Sequence, residues 1–172
     1  MIMLTISEAS QLDFGDFVAT FENVVEKCPV VVAGVYDDRP FESVDTFHKS
    51  ITTFVKNLCQ KGQIGILRCH PDLAGKIAAL GQLTTESTEE QKAAGLDDIT
   101  DEEKVTMDQL NAQYKAKFGF PFVICARENK KNAILKGMAE RLLNDRHSEV
   151  ETGIEEVLKI CRLRLNNIVS DN

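Results

Sequence analysis

Apolar residues in this chain recur every three or four positions in one stretch after another, and that period buries a single face only in an α-helix. Phe14, Phe17, Phe21, Val24 and Val25 form the first stripe, limited on its C-terminal side by Pro29. Val44, Phe47, Ile51, Phe54 or Val55, and Leu58 repeat it after Pro40, with Gly62 as the expected end signal. Met107, Leu110, Tyr114 and Phe118 form a third stripe, and Thr100 with Glu103 supplies a capping box before it. Ile134, Leu135, Met138 and Leu142 form a fourth. The last and longest runs from Val150 through Ile154, Val157 or Leu158, Cys161 and Leu165 to Ile168. Two runs have strand propensity, "VVVAGV" at 30–35 and "FVICA" at 122–126. Two short runs among so many helices do not make a sheet, and buried helix can also be β-branched. The expected fold class is therefore all-α, a compact single-domain multi-helix bundle over residues 1–172. No Gly/Ser linker, internal repeat or low-complexity stretch interrupts it.

Charge and cysteine usage narrow the function classes. The formal net charge is −7, and basic clusters such as Lys130 with Lys131 are short, so no nucleic-acid partner is expected. No run approaches eighteen apolar residues, so no membrane span is expected. The opening "MIMLTISEASQLDFGD" has no basic region before its short apolar start and makes a poor secretory signal. The five cysteines are odd in number and scattered, with no C-x-x-C pair, which fits reduced thiols packed as small hydrophobes. Cys69 adjoins His70, but no second ligand pair follows, so no metal site is expected. G-x-G-x-x-G, P-loop, G-x-S-x-G and H-E-x-x-H motifs are missing, which removes most nucleotide enzymes, hydrolases of that serine type and zinc proteases. Acid–base chemistry without a cofactor remains.

A few residues could carry such chemistry. In "RCHPDLAG", residues 68–75, the backbone before Pro71 is pushed towards an extended form, and proline suits the first position of a helix. His70 is thus expected at a helix N-terminus, beside N–H groups that attract carboxylates and disfavour a cationic ring. His48 and His147 sit among polar neighbours and read as solvated. "STEE", Ser87 to Glu90, has the form of a capping box, with Ser87 as cap, Glu90 reaching back, Gln91 exposed and Gly95 ending the helix. The whole stretch 81–95 is the least core-like in the chain and is expected over the surface or at the rim of a cleft. Arg162 and Arg164 flank the two edges of the last apolar stripe, and periodicity does not choose between them. "KFGFPFVICA", residues 117–126, reads as a tight, largely buried connection whose glycine lets backbone approach a ligand closely.

Four segments together resemble a known family. "HPDLAGK" (70–76), "LTTESTEEQKAAGL" (83–96), "NAQYKAKFGFPFVICA" (111–126) and "EEVLKICRLRLNNIV" (155–169) stand in the order and near the separations of the 2-oxo-4-hydroxy-4-carboxy-5-ureidoimidazoline decarboxylases of urate breakdown. The resemblance covers a core from about Asp13 to Val169. It implies an all-α homodimer that needs no metal or organic cofactor and makes (S)-allantoin from a small ureidoimidazoline, releasing carbon dioxide. On the matching positions, His70, Glu90 and Arg164 are the implied catalytic residues. Pro71, Ser87, Gln91, Phe122, Val123, Ile124, Cys125 and Ala126 are the implied substrate-binding residues. Animal members often end in a peroxisomal tripeptide, whereas this sequence ends "SDN", so the implied setting is peroxisomal or cytosolic. The competing readings are a non-catalytic helical interaction module, a hydrolase of a ureido substrate, and a binding protein for purine-breakdown products.

Overall fold

The computed structural model describes residues 3–171, the side chains at 77 and 79 excepted. It is all-α apart from one pair of two-residue strands. The elements in order are β1 (Leu4–Thr5), α1 (Ile6–Gln11), α2 (Phe14–Phe21), α3 (Pro29–Gly34), α4 (Val44–Asn57), α5 (Gln60–Cys69), α6 (Lys76–Ala79), α7 (Thr85–Ala93), α8 (Asp101–Phe118), α9 (Lys131–Arg141), α10 (Arg146–Ile168) and β2 (Val169–Ser170). Among the described residues no helix is long and apolar enough to cross a membrane. The chain divides into two compact units, residues 1–66 with 157–172, and residues 67–156.

The first unit is built on phenylalanines. Phe41 stacks on Phe47 with centroids 4.3 Å apart, and Phe21 meets Phe47 edge-on at 5.0 Å. Phe17 and Phe21 lie one helical turn apart in α2 and also touch, at 5.0 Å. Such pairs add to plain area burial because ring edges and faces carry opposite partial charge. α2 stops at Phe21, earlier than the stripe to Val25 implied. Val24 and Val25 remain buried on a turn that Lys27 closes with a left-handed φ of 48°. The valine run at 30–35 forms α3 rather than a strand, with Pro29 in its first turn. At its end an ideal Cβ on Gly34 would stand 2.2 Å from the Phe54 ring, so α3 meets α4 at a position that only glycine leaves open. β1 and β2 pair in parallel, Leu4 with Val169 and Thr5 with Ser170. Two-residue strands carry no alternation, which is why the sequence held no sign of them.

In the second unit Tyr114, Phe118, Phe120 and Phe122 form a continuous aromatic group, with Tyr114 edge-on to Phe122 at 5.2 Å. The Thr100–Glu103 capping box that opens α8 is present in both directions. Gly119 closes α8 in the left-handed conformation, φ 80°, turning the chain into the buried connection. Gly62, expected to end a helix, instead lies in the first turn of α5. The Cys59 carbonyl accepts from the amides of both Gly62 and Gln63, so a new helix starts after a gap of two residues.

Candidate active site

His70 follows the last residue of α5, and its own amide donates to the Leu67 carbonyl at 3.2 Å. The expectation of a helix N-terminus is therefore corrected. Pro71 stands in a loop, and the next helix begins only at Lys76. The field argument changes sign with it, because the carbonyl end of a helix favours positive charge. The His70 side chain is buried at 8% exposure and Pro71 is half-buried. α5 is seated by close packing: an ideal Cβ on Gly153 of α10 would stand 2.9 Å from Leu67 Cδ2, so the Leu67 side chain, three residues before His70, packs against α10 at Gly153.

The loop that carries His70 is tied at several points. Gln91 Oε1 in α7 accepts from the Ala74 amide at 2.9 Å. Asn111 Nδ2 in α8 donates to the Leu73 carbonyl at 3.0 Å, and Lys115 of the same helix pairs with Asp72 at 2.6 Å. Ala74 itself is held in the left-handed region, φ 47°, which is costly for a residue with a Cβ and persists only where surroundings fix it. Asn111 was not anticipated. It occupies a step of the α8 stripe where an apolar residue would be usual, and that substitution was the available signal.

Ser87, Glu90 and Gln91 lie three and four residues apart and share one face of α7. All three are buried, at 4%, 9% and 6% exposure, in a helix whose composition promised none. The capping assignment is corrected as well. Thr84 is the cap, its hydroxyl accepting from the Ser87 amide at 3.2 Å, and Ser87 stands inside the helix. Gln91 is not exposed, and its carboxamide holds the His70 loop. Gly95 does follow the helix end, with φ 79°.

α7 packs against the 3-10 turn Ala126–Glu128, which continues the segment 122–126. Phe122, Val123, Cys125 and Ala126 are buried, and Ile124 is half-buried. Residues 122–125 are neither helix nor strand, so their backbone groups have no ladder of their own. Glu156 Oε2 of α10 accepts from the Cys125 amide at 2.8 Å. Burial pushes the Cys125 thiol up to about 11, helped by the nearby charges of Glu128, Glu156 and Glu90. A thiol held neutral in this way is a packing group, not a nucleophile. The unit also carries a half-open pocket of about 460 Å³ bordered by Ala74, Leu83, Gln91, Leu96 and Ile99, but neither His70 nor Glu90 lines it.

Arg164 belongs to the first unit and is almost fully buried. Its Nη1 donates to the Asn23 carbonyl at 2.6 Å and to Glu26 Oε2 at 2.9 Å. Arg162, its rival in the periodicity, is half-exposed and pairs with Asp45 at 2.5 Å. Glu26 escaped the sequence reading, since "FENVVEKCP" gives no reason to bury one glutamate over another. Of the two histidines read as solvated, His147 is exposed, whereas His48 is partly buried with Nε2 2.8 Å from the Leu158 carbonyl.

A helical protein that buries an imidazole, a carboxyl and a carboxamide within one unit, with a connection lined by backbone, has the makings of an acid–base enzyme. The chain belongs to the OHCU decarboxylase family, whose model matches residues 10–166. It is 49% identical over 166 residues to the 2-oxo-4-hydroxy-4-carboxy-5-ureidoimidazoline decarboxylase of Amia calva, covering 96% of this chain and 95% of that protein. The protein of the same name from Xenopus laevis is 44% identical, over 94% of this chain and 93% of its own. In fold it is similar to a crystal structure of (S)-allantoin synthase, with TM-score 0.78 and 19% identity over 97% of this chain; the match spans about half, 54%, of that longer chain. A crystal structure of OHCU decarboxylase in the presence of (S)-allantoin gives TM-score 0.67 at 21% identity, over 80% of this chain and 89% of that one.

Proposed function

We infer that this protein decarboxylates 2-oxo-4-hydroxy-4-carboxy-5-ureidoimidazoline to allantoin in urate degradation, and that its product is the (S) form. The observation that carries the reading is near-full-length similarity to proteins of that name, the Amia calva decarboxylase above all. The chemistry is consistent with side chains alone. The carboxylate sits on a ring carbon that bears a hydroxyl, and the neighbouring carbon, which bears the ureido group, belongs to a C=N unit. As carbon dioxide leaves, its bonding pair forms a C=C bond and the C=N pair moves to nitrogen, which takes a proton. Protonation of the ureido-bearing carbon and loss of the hydroxyl proton then give allantoin. The face that receives this carbon-bound proton sets the hand of the product.

His70 is the proposed proton carrier, an imidazole being the side chain best suited to give and take protons near neutral pH. Arg164 is proposed to stabilise charge building on ring nitrogen and oxygen. Holding the departing carboxylate would instead favour the ground state and slow the step. Glu90 is proposed to act on the hydroxyl, with Gln91, Ser87 and Pro71 orienting the ureido group and ring. Residues 122–126 supply backbone contacts and exclude water. A homodimeric state and a peroxisomal or cytosolic setting are part of the same proposal.

The test generates the labile substrate from urate with the two upstream enzymes and follows circular dichroism. The reading predicts a fast (S)-allantoin signal with the intact protein and its loss with His70→Gln. Full turnover and full stereoselectivity in His70→Gln would remove His70 from this role.

A further inference from the structure

We propose that Arg141, held by the buried carboxylate of Glu149, is a positioning residue for this reaction, fixing the Val123 carbonyl and with it the edge that residues 122–126 offer to the substrate. The proposal rests on the reading of 122–126 as part of the reaction site.

Arg141 ends α9, and its three nitrogens are all engaged. Nη1 donates to the Val123 carbonyl at 2.8 Å. Nε and Nη2 both reach Glu149 Oε1, at 2.7 and 2.6 Å. The guanidinium carbon lies 4.4 Å from the centre of the Phe122 ring. The Glu149 side chain is fully buried, and the Tyr114 hydroxyl donates to the oxygen that Arg141 holds. Asn144 Nδ2 donates to the other oxygen at 2.8 Å. Burial pushes the Tyr114 hydroxyl far above its ordinary value, so it keeps its proton and stays a donor.

Burying a carboxylate is costly, and an apolar side chain of similar volume often packs as well or better. Here the charge is spent on orienting one guanidinium, whose remaining N–H group ends on the segment that has no ladder of its own. Glu156 anchors Cys125 two residues further on. Between the two anchors stands Ile124, the one residue of the five that is not buried. A reaction whose product hand depends on the face that meets a proton needs its walls fixed to about half an ångström. Two hydrogen bonds two residues apart supply that rigidity.

Arg141→Lys keeps a positive charge beside Glu149 but cannot also reach Val123, because one ammonium replaces a three-nitrogen fork. The variant is compared with wild type by hydrogen exchange and by turnover of freshly generated substrate. The peptide containing 122–126 is expected to exchange about tenfold faster, the change for one lost charge-assisted hydrogen bond. Peptides from the middle of α8 should exchange as in wild type. KM should rise about tenfold on the same ground, and the enantiomeric excess of the allantoin should fall. If Arg141→Lys does not fold, Tyr114→Phe, which removes one donor to Glu149, is judged by the same readouts. Unchanged exchange in 122–126 overturns the proposal. So does faster exchange with KM and enantiomeric excess intact, which makes Arg141 structural only. A wild-type protein with no turnover overturns the reaction-site reading first, a result that this comparison separates from a failure of Arg141 alone.

Discussion

Removing the Glu26 carboxylate takes a buried counter-charge away from Arg164. Their side chains are 1% and 2% exposed and meet at 2.9 Å. Breaking a buried pair from one side costs about 3–5 kcal/mol, because the surviving charge keeps its desolvation penalty without its counter-charge. The Lys136–Glu140 pair is the contrast: at 3.6 Å with both side chains mostly exposed, it belongs to a class that contributes about 0–1 kcal/mol. For a chain of this size each kcal/mol moves the melting temperature by about 2–4 °C, so Glu26→Ala should melt roughly 6–20 °C below wild type. Urea titration followed by far-ultraviolet circular dichroism measures the free energy directly, with Glu140→Ala as the surface control. The double variant Glu26→Met with Arg164→Met should recover most of the loss, because neither charge of the pair is then left buried. A Glu26→Ala protein within about 1 kcal/mol of wild type, level with the surface control, would refute the reasoning.

Gly153→Ala should destabilise by about 1–3 kcal/mol in the same titration, since the added methyl meets Leu67 at 2.9 Å and exceeds the gain in helix propensity; an unchanged midpoint would contradict it. Iodoacetamide at about pH 8 should label exposed Cys59 in the native protein and leave Cys125 untouched, read by peptide mass spectrometry, because alkylation needs a thiolate. The same thiol ties stability to alkaline pH. In the folded chain Cys125 holds its proton up to about 11, whereas unfolded it would release it near the ordinary value of about 9, so its contribution is intact below pH 9 and declines as pH rises towards 11. Cys125→Ala should flatten that decline, and an identical alkaline profile would count against it.

The long stripes told most of the truth about the helices. α4, α8, α9 and α10 lie where apolar residues recur at helical spacing, and the Thr100 box marks the start of α8 to the residue. Local chemistry failed where tertiary contacts outweigh it. "STEE" is a sound cap signature, yet Thr84 takes the cap, and burying the polar face of α7 makes the least core-like stretch a wall of the second unit. Pro71 suits a helix start equally well, but the ties from Gln91, Asn111 and Lys115 hold 70–75 as a loop. The order of the motifs, not periodicity, singled out His70, Glu90 and Arg164. Glu26, Arg141 and Glu149 had no sequence signal beyond polarity, because a buried polar residue is defined by partners distant along the chain.

The central claim is that this chain catalyses the decarboxylation. Its most direct test adds purified protein to substrate generated in situ from urate and records allantoin handedness by circular dichroism beside a protein-free sample. Rapid accumulation of (S)-allantoin with the protein, against slow racemic product without it, is the predicted result. The same slow racemic course in both samples would contradict the claim and turn the fold into a binding module.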